Sequence, residues 1–399
     1  CSPSSSVDLS AAAGSTLSST APLLAPAAGV SVDLGLGTVS GGDAAGDNFT
    51  SIENLGGSEH GDVLTGDDND NRLYGFAGND VFSGGDGIDR IRAGHGDDTV
   101  NGDAGDDWFE GGAGGDALNG GAGTDMAVYE KSASGVTIDL ALNAASGGEA
   151  AGDSFVSVEN LAGSAHDDTM TGDEDGNRLI GNDGNDGLSG GAGIDRLIGG
   201  NGDDMLNGGG DDDLLVGGAG GDAMDGGTGE DQASYAGSSQ AVTVDLGTGT
   251  AAGGDADGDT LTEIENLYGS TRDDALTGND SENRLWGNSG DDILTGGGGL
   301  DRIYGGAGDD TIDGGPGNDW FVGGDGADKF VFLNTWGSDI ISDYEDGSDL
   351  LDISGTELGF SDLSLIQVRE HAMISDPLGN SVRLDNTDVS IVDSADFLV

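Results

Sequence analysis

The sequence predicts an all-β protein made of tandem parallel β-rolls, a form of β-helix or solenoid. Three observations predict this fold. Glycine makes up 81 of 399 residues, Gly and Asp recur with a period of nine, and the whole pattern recurs with a period of 106. Fixed periods are typical of solenoids, in which each repeat buries its apolar face against its neighbours. We therefore expect stacked coils and not one globular core.

The period of nine is marked by an aspartate, which we call the framed residue. It runs through three arrays, at 62–125, 168–231 and 274–328, without a slip in spacing. Of the 23 framed residues, 20 are Asp and three are Asn, namely Asn71, Asn177 and Asn283. The turns of these three lack the double glycine, so we expect them to bind a cation weakly or not at all.

The period of 106 relates three modules of about 106 residues, because SVDL, TIDL and TVDL, and then IENL, VENL and IENL, recur at this spacing. Each module has a lead segment followed by a nonapeptide array. The predicted organisation is a flexible Ser/Ala-rich leader at 1–30, module 1 at 31–135 with its array at 62–129, module 2 at 136–241 with its array at 168–235, module 3 at 242–333 with its array at 274–332, and a β-rich C-terminal cap at 334–399.

The nonapeptide itself explains the coil. In GGAGDDTID, residues 305–313, the pattern is Gly-Gly-x-Gly-x-Asp-x-U-x, where U is apolar. Glycines allow a tight turn because they accept positive φ, and x-U-x forms a three-residue strand whose middle side chain points inward. Two nonapeptides then make one coil of 18 residues. The predicted inward residues are Leu64, Leu73, Phe82, Ile91, Val100, Phe109, Leu118, Met170, Leu179, Leu188, Leu197, Leu206, Leu215, Met224, Leu276, Leu285, Leu294, Ile303, Ile312, Phe321 and Phe330.

The strongly negative net charge of the chain limits the kinds of molecule that it can bind. The chain has 76 acidic and 12 basic residues, a formal net charge of -64. Such a chain repels nucleic acid and anionic membranes, so the expected partner is a cation. Because Cys1 is the single cysteine, an internal disulfide is excluded. The sequence contains no run of 18 apolar residues, so it predicts no membrane-spanning helix. The sequence shows no N-terminal signal peptide or initiating Met, which suggests truncation or processing.

The framed aspartates predict calcium sites. One buried apolar side chain in nine residues stabilises the coil by less than the ordering of nine residues costs. A calcium ion between two turns can take carboxylates from Asp89 and Asp107, for example, together with turn carbonyls. About 17 ions are expected from nearest-neighbour stacking. The predicted ligands are Asp80, Asp89, Asp98, Asp107, Asp116, Asp125, Asp186, Asp195, Asp204, Asp213, Asp222, Asp231, Asp292, Asp301, Asp310, Asp319 and Asp328.

Other candidate residues have two readings each. The lead-segment acids Asp43, Asp47, Glu149, Asp153, Asp255 and Asp259 are either further ligands or solvated loop residues, with the loop favoured. The stretch 187–191 fits the G-x-S-x-G esterase elbow, but it lies inside the repeat frame, where chance matches are expected. Trp108 and Trp320 follow framed residues and are interpreted as packing residues, with sugar contact as the alternative. The four histidines share no metal-ligand spacing and are interpreted as surface residues.

The arrays resemble the repeats-in-toxin (RTX) family of hemolysin-type calcium-binding proteins. GGAGDDTID and GGDGADKFV match the family repeat, and DMAVY and DQASY resemble its closing patterns. The tail, from SDIISDYEDGSDLLDIS to SADFLV, is also similar to the family. This resemblance implies export by type I secretion, directed by an uncleaved signal within 334–399.

The predicted function is therefore reversible calcium binding that folds a secreted, extracellular protein after type I export. The expected partners are calcium ions and the secretion machinery, with a cell-surface or extracellular polysaccharide left open, as is association with the cell surface. No catalytic motif emerges, so we predict that the chain is not an enzyme. Two alternatives stay open: the repeat and export portion of a larger secreted enzyme, such as a polysaccharide epimerase, lipase or protease, or part of a surface adhesin.

Overall fold

The computed structural model describes residues 6–8, 28–47, 49, 51–333 and 335–399, so most of the predicted leader lies outside the described residues. The described chain is built of β-strands and four short 3₁₀ helices, and it contains no α-helix within those residues. The all-β prediction is confirmed. The chain divides into two compact units, Cys1–Gly199 and Gly200–Val399. The division falls inside the second array, and the module boundaries stay a prediction from the sequence.

The strands of the first unit are β1 (Ser6–Asp8), β2 (Val30–Asp33), β3 (Thr38–Gly41), β4 (Asn54–Gly56), β5 (Val63–Thr65), β6 (Arg72–Ala77), β7 (Val81–Asp86), β8 (Arg90–His95), β9 (Thr99–Ala104), β10 (Trp108–Ala113), β11 (Ala117–Ala122), β12 (Met126–Val128), β13 (Thr137–Asp139), β14 (Ala144–Ser146), β15 (Ser154–Val156), β16 (Asn160–Ala162), β17 (Thr169–Thr171), β18 (Arg178–Asp183) and β19 (Gly187–Gly191). Strand β20 (Arg196–Asn201) contains the point of division. The 3₁₀ helices are Gly42–Ala44 and Gly148–Ala150.

The strands of the second unit are β21 (Met205–Gly210), β22 (Leu214–Ala219), β23 (Ala223–Thr228), β24 (Gln232–Ser234), β25 (Thr243–Asp245), β26 (Thr250–Ala252), β27 (Thr260–Thr262), β28 (Asn266–Tyr268), β29 (Ala275–Thr277), β30 (Arg284–Ser289), β31 (Ile293–Thr295), β32 (Arg302–Ala307), β33 (Thr311–Asp313), β34 (Trp320–Asp325), β35 (Lys329–Val331), β36 (Ser338–Ile341), β37 (Leu350–Asp352), β38 (Ser364–Val368), β39 (His371–Ser375), β40 (Ser381–Leu384) and β41 (Phe397–Leu398). The 3₁₀ helices are Gly254–Ala256 and Phe360–Asp362.

Largely parallel sheets form the first unit, in which β2–β3 and β13–β14 are antiparallel pairs. One sheet has the order β1, β4, β6, β8, β10, β12, β16, β18, with every pair parallel. A second has the order β3, β2, β5, β7, β9, β11, β15, and a third has the order β14, β13, β17, β19. Partners within an array are 18 residues apart, as in Leu73 opposite Ile91, so two nonapeptides make one coil.

The second unit repeats this arrangement and ends in the cap. One sheet runs β22, β24, β28, β30, β32, β34, β36, all parallel. The other includes β25, β29, β31, β33, β35, β37, β41, also parallel. The cap adds β40 in parallel to β36 and then β39 and β38 in antiparallel pairing. The cap is therefore β-rich, as the sequence predicts.

The lead segments continue the coils and also add hairpins. In the first unit β16 lies between β12 and β18, so the IENL-type motif supplies an ordinary strand of the stack. The VDL-type motif supplies β2, β13 and β25, each paired antiparallel with the strand that follows it. Each lead segment therefore contributes an antiparallel pair beside strands that belong to the parallel stack.

The core includes all of the predicted inward residues, which are at most 2% exposed, together with buried residues of the lead segments such as Leu55 and Leu161. One expectation is wrong, because many strands have six residues and not three. In β10 the buried positions are Phe109 and Gly111, so the strand continues through x-U-x and into the double glycine. The second inward position has to be glycine, since a Cβ on Gly111 would lie 2.4 Å from Oδ2 of Asp116. The interior therefore holds, for each regular nonapeptide, one apolar side chain beside one buried carboxylate.

Candidate calcium sites

The structure buries the framed carboxylates. All 17 predicted ligands are at most 3% exposed, although they are charged side chains in ordinary solution. They lie where each turn enters its strand, directly before the x-U-x residues. Burial of an ionised carboxylate is unfavourable unless hydrogen bonds or a cation compensate for the lost hydration. The compensation at these positions therefore determines what they do.

One oxygen of each carboxylate joins successive coils. Oδ1 of Asp89 accepts a hydrogen bond from the backbone N–H of Asn71 at 2.7 Å, and Oδ1 of Asp107 accepts one from Asp89 at 2.8 Å. The third array repeats this geometry, with Oδ1 of Asp310 at 2.8 Å from the N–H of Asp292. We call this column of bonds the carboxylate ladder. It satisfies only one oxygen of each side chain.

The second oxygen of most framed aspartates is buried without a hydrogen-bond partner. This holds for Oδ2 of Asp80, Asp89, Asp98, Asp107, Asp116, Asp125, Asp222, Asp231, Asp292, Asp301, Asp310, Asp319 and Asp328. Buried polar atoms are nearly always hydrogen-bonded, and an unsatisfied one costs about 1–3 kcal/mol or more when charged. So regular a set of orphaned oxygens fits a bound cation. The other four predicted ligands, Asp186, Asp195, Asp204 and Asp213, are equally buried.

Burial also shifts the proton affinity of these groups. Desolvation raises the pKa of Asp89 and Asp310 to about 7, against a lowering effect of the backbone hydrogen bonds from Asn71 and Asp292. Neighbouring carboxylates raise the pKa further. The same causes raise the pKa of Asp319 and Asp328 to about 6. Without a counter-ion, the folded coil therefore disfavours the ionised form that the unfolded chain has near neutral pH.

The backbone carbonyl oxygens of each turn lie close to the glycines of the next turn along the stack. A Cβ on Gly96 would lie 1.9 Å from the carbonyl oxygen of Gly78, and one on Gly114 would lie 1.9 Å from that of Gly96. Only glycine allows this approach, because these residues also have φ of 130° and 154°. Each turn thus presents carbonyl oxygens to the next turn along the stack.

The donor set indicates which metal fits. Nowhere in the described residues do three or more His, Cys, Asp or Glu side chains converge into a metal-binding group. A metal held here would need backbone carbonyls beside the aspartates. Calcium takes six to eight oxygens and accepts carbonyls as readily as carboxylates, whereas zinc and copper prefer nitrogen and sulfur. The residues present therefore fit calcium, with oxygen donors alone.

The first residue of each array differs from the rest. Both oxygens of Asp62 accept hydrogen bonds, Oδ1 from the N–H of Val30 and Oδ2 from the N–H of Ser58. Asp168 and Asp274 repeat this arrangement with Ser164 and Ser270. These three side chains are satisfied without a cation. They belong to the period of nine, but their hydrogen bonds explain their burial.

The Asn positions are also satisfied by the protein itself. Oδ1 of Asn71 accepts a hydrogen bond from the N–H of Asp67 at 2.7 Å, and Asn177 accepts one from Asp173 at 2.7 Å. The amide of Asn177 donates to the carbonyl of Glu159 at 2.8 Å. A neutral amide with these local partners adds no charge, and the backbone N–H groups of Asn71 and Asn177 still donate to Asp89 and Asp195 in the next coil. Weak cation binding at these turns stays a prediction.

Two lead-segment acids correct an expectation. Asp153 and Asp259 are 4% and 2% exposed, so the solvated-loop interpretation is wrong for them. Oδ1 of Asp153 accepts the N–H of Asp116 at 2.8 Å, and its Oδ2 accepts the hydroxyl of Tyr129 at 2.8 Å. Their neighbours Glu149 and Asp255 are only half-buried, and Asp47 is exposed. The spacing of 37 residues to Asp116 is outside the period of nine, so the sequence pattern did not reveal the contact.

The remaining candidates have ordinary structural surroundings. Ser189 lies within strand β19, which is not followed by a helix, so the stretch 187–191 does not form the strand-to-helix turn of an esterase elbow. The guanidinium of Arg92 lies 5.4 Å from the ring centre of Trp108. Trp320 packs edge-on against Tyr304 at 5.3 Å. His371 is half-buried, with Nδ1 at 3.0 Å from Asp385, which corrects its interpretation as a surface residue.

The fold and the buried carboxylates define a calcium-binding parallel β-roll protein. The sequence profile of the RTX calcium-binding nonapeptide repeat matches residues 56–91, 92–127, 162–197, 198–233, 268–303 and 295–330. These segments cover just over half of the chain, and the chain belongs to this family. Comparison with curated protein sequences gave no match. In the described residues, the structure has no helix with the length and apolar character needed to cross a membrane.

Solved structures similar to this chain include repeat subunits and an enzyme. The AlgE6R2 subunit of the Azotobacter vinelandii mannuronan C5-epimerase is 28% identical, with 30% of this chain and 89% of that chain covered and a TM-score of 0.24. The AlgE6R3 subunit of the same epimerase is 24% identical, with coverage of 32% and 78% and a TM-score of 0.17. The extracellular lipase LipA of Serratia marcescens is 19% identical, with coverage of 58% and 40% and a TM-score of 0.25.

Proposed function

We propose that this chain is a secreted protein that stays unfolded at the low calcium concentration of the cytosol and folds outside the cell when calcium binds. In this proposal 17 of the 20 framed aspartates are the ligands, and type I secretion machinery exports the unfolded chain. The family context supports the proposal, because proteins with these repeats are typically secreted. Extracellular calcium modules bind at about 10⁻⁴–10⁻³ M, well above cytosolic calcium.

The orphaned Oδ2 atoms carry the proposal. The coil interior combines one apolar side chain and one buried carboxylate per nonapeptide, so burial of the carboxylate opposes the stabilisation that the apolar residue contributes. A divalent cation reverses this effect, because it neutralises two carboxylates and joins neighbouring turns. Binding that occurs only in the folded state shifts the equilibrium towards that state by mass action.

The net charge supports the same conclusion. With a formal net charge of -64, the acidic side chains repel one another in any compact state of the chain. If the chain holds about 17 calcium ions, as nearest-neighbour stacking predicts, they neutralise roughly half of that charge. The compact form is then favoured only where calcium is abundant. We further propose that the chain acts through this binding and not through catalysis. The alternative, that it is the repeat portion of a larger secreted enzyme or adhesin, is decided by the full coding sequence.

A calcium titration followed by far-ultraviolet circular dichroism tests the proposal. We expect a cooperative gain of β signal near millimolar calcium and no such gain with magnesium. Magnesium keeps its water shell and demands near-octahedral geometry, so it does not replace calcium between carbonyl-rich turns. Full β signal in excess chelator at neutral pH, or an equal response to both ions, would rule the proposal out.

A further inference from the structure

The carboxylate ladder continues beyond the last turns of the first two arrays. The final framed residues, Asp116 and Asp125, have no framed partner 18 residues ahead. The following lead segment supplies the partners instead. The N–H of Asp125 donates to Oε2 of Glu159 at 2.8 Å, and that of Asp116 donates to Oδ1 of Asp153 at 2.8 Å. The lead segment thus replaces a coil on both sides of the roll.

The two sides of this junction differ in how many oxygens of the lead-segment carboxylate accept hydrogen bonds. Oδ2 of Asp153 accepts the Tyr129 hydroxyl, so the lead segment's side chain on that side is fully hydrogen-bonded. The framed aspartates do not distinguish the two sides, because Oδ2 of Asp125 and Oδ2 of Asp116 are both buried without a partner. Asp125 is 0% exposed. Glu159 is only half-buried, and one of its oxygens bonds the Asp125 N–H. Only the Glu159 side therefore combines an orphaned buried oxygen with a second carboxylate that accepts no hydrogen bond from a tyrosine.

A backbone carbonyl completes the likeness to a regular turn. Within the array, a Cβ placed on Gly102 would lie 2.2 Å from Oδ2 of Asp107 and 2.6 Å from the carbonyl oxygen of Gly120 in the next coil. Gly102 thus marks the point where this carboxylate and this carbonyl converge. At the junction, the Cβ position of Gly120 lies 2.2 Å from Oδ2 of Asp125 and 2.0 Å from the carbonyl oxygen of Ser157. Ser157 therefore presents its carbonyl where the next coil would present that of a glycine.

The second junction repeats this geometry in the other unit. The N–H of Asp231 donates to Oε2 of Glu265 at 2.9 Å, and Oδ2 of Asp231 is buried without a partner. The Cβ position of Gly226 lies 2.1 Å from the carbonyl oxygen of Glu263 and 2.7 Å from Oδ2 of Asp231. Glu263 has φ of 50°, as Ser157 has 49°, so both residues hold a left-handed conformation unusual for a non-glycine.

No carbonyl oxygen lies as close on the opposite side of either junction. The three nearest atoms to the Cβ position of Gly111 all belong to Asp116, and those of Gly217 all belong to Asp222. The tyrosine hydroxyls of Tyr129 and Tyr235 close this side through Asp153 and Asp259. Each junction therefore has one side on which the lead-segment carboxylate is fully hydrogen-bonded, and one side with oxygen donors of the kind found between array turns.

We propose that Glu159 and Glu265 are calcium ligands that complete a junction site at the end of the first and second arrays. Each site takes a framed aspartate, Asp125 or Asp231, and the carbonyl of the residue two before the glutamate. The inference rests on the proposed function, since the framed aspartate must itself bind calcium. Two carboxylates match the charge of one calcium ion. The ion ties each lead segment to the array before it, so adjacent modules fold together.

The substitutions Glu159→Gln and Glu265→Gln test the junction sites. Glutamine keeps an oxygen that can accept the Asp125 or Asp231 N–H, but it removes the charge. Glu53→Gln is the matched control, because Glu53 lies 106 residues before Glu159 and no nonapeptide precedes it in this sequence. Bound calcium is counted by equilibrium dialysis of the full chain, with excess magnesium to suppress non-specific binding.

We expect each junction variant to lose one ion per chain, the double variant to lose two, and Glu53→Gln to match the wild type. Unchanged ion counts and affinities in both junction variants, in a wild type that binds calcium at many sites, would overturn the junction sites alone. A wild type that binds no calcium would overturn the proposed function instead. If Glu159→Gln has less β signal than the wild type, Glu159→Asp is the second variant. It should keep the ion count with weaker affinity, and wild-type affinity would contradict the proposal.

Discussion

Replacing Asp89 by Asn is expected to destabilise the calcium-loaded chain and to stabilise the calcium-depleted one. Asn has a side-chain carbonyl oxygen that can accept the hydrogen bond that Oδ1 of Asp89 accepts from the N–H of Asn71. It removes the charge that a calcium ion needs, and loss of one partner from a buried ionic pair costs about 3–5 kcal/mol. In the depleted chain the same change removes a buried, uncompensated carboxylate, so its effect has the opposite sign.

Two denaturation series measure this reversal of sign. Urea unfolding in saturating calcium gives the first effect, and a trimethylamine oxide titration of the depleted chain gives the second, because osmolytes strengthen burial. Asp86→Asn is the control, since Asp86 is an exposed aspartate of the same turn and the change in charge is equal. A loss of stability of equal size with and without calcium would show that Asp89 acts through its hydrogen bond only.

Acidification is expected to fold the calcium-depleted chain. Burial raises the pKa of Asp80, Asp292 and Asp301 to about 7 from an ordinary value of 3.8. Between these values the folded state binds more protons than the unfolded state, so its stability is greatest below about pH 4 and is lost as the pH rises towards 7. Each such group changes the folding equilibrium by up to roughly tenfold per pH unit. The calcium-loaded chain behaves oppositely, because calcium requires the ionised form.

Circular dichroism of chelating-resin-treated protein between pH 4 and pH 7.5 measures this effect. More β signal at pH 4.5 than at pH 7 is expected without calcium. With calcium, the concentration needed for half-maximal signal should rise as the pH falls. A depleted chain that has the same low β signal at every pH would contradict the burial of uncompensated carboxylates.

Periodicity accounts for the part of the structure that local contacts determine. Inward residues such as Leu73 and framed residues such as Asp89 follow from the nonapeptide, because each contacts the equivalent residue 18 positions away. The six-residue strands were missed because a double glycine is usually read as a turn, whereas here the glycine leaves room for a carboxylate. The orphaned oxygens follow from the fold alone, because the sequence does not show how many oxygens of a framed aspartate accept hydrogen bonds: both at Asp62, but only Oδ1 at Asp89.

The junctions show where periodicity ends. Asp153 and Glu159 replace framed residues at separations of 37 and 34 from their partners, outside both periods of the sequence. A lead segment of irregular length can take many paths, and the path is selected by the fit of its strand onto the last coil. Tyr129 could have been suspected from its recurrence as Tyr235, but its hydroxyl contact with Asp153 depends on the folded lead segment.

Amide hydrogen exchange of the full chain at neutral pH tests the central claim most directly. The N–H groups of Asn71, Asp89 and Asp292 donate to carboxylates of the next coil and report whether neighbouring turns are joined. If calcium supplies the cohesion between coils, these amides are protected in calcium and exchange at the rate of an unstructured chain after its removal. Equal protection in both conditions would show that the coils hold together without the ion.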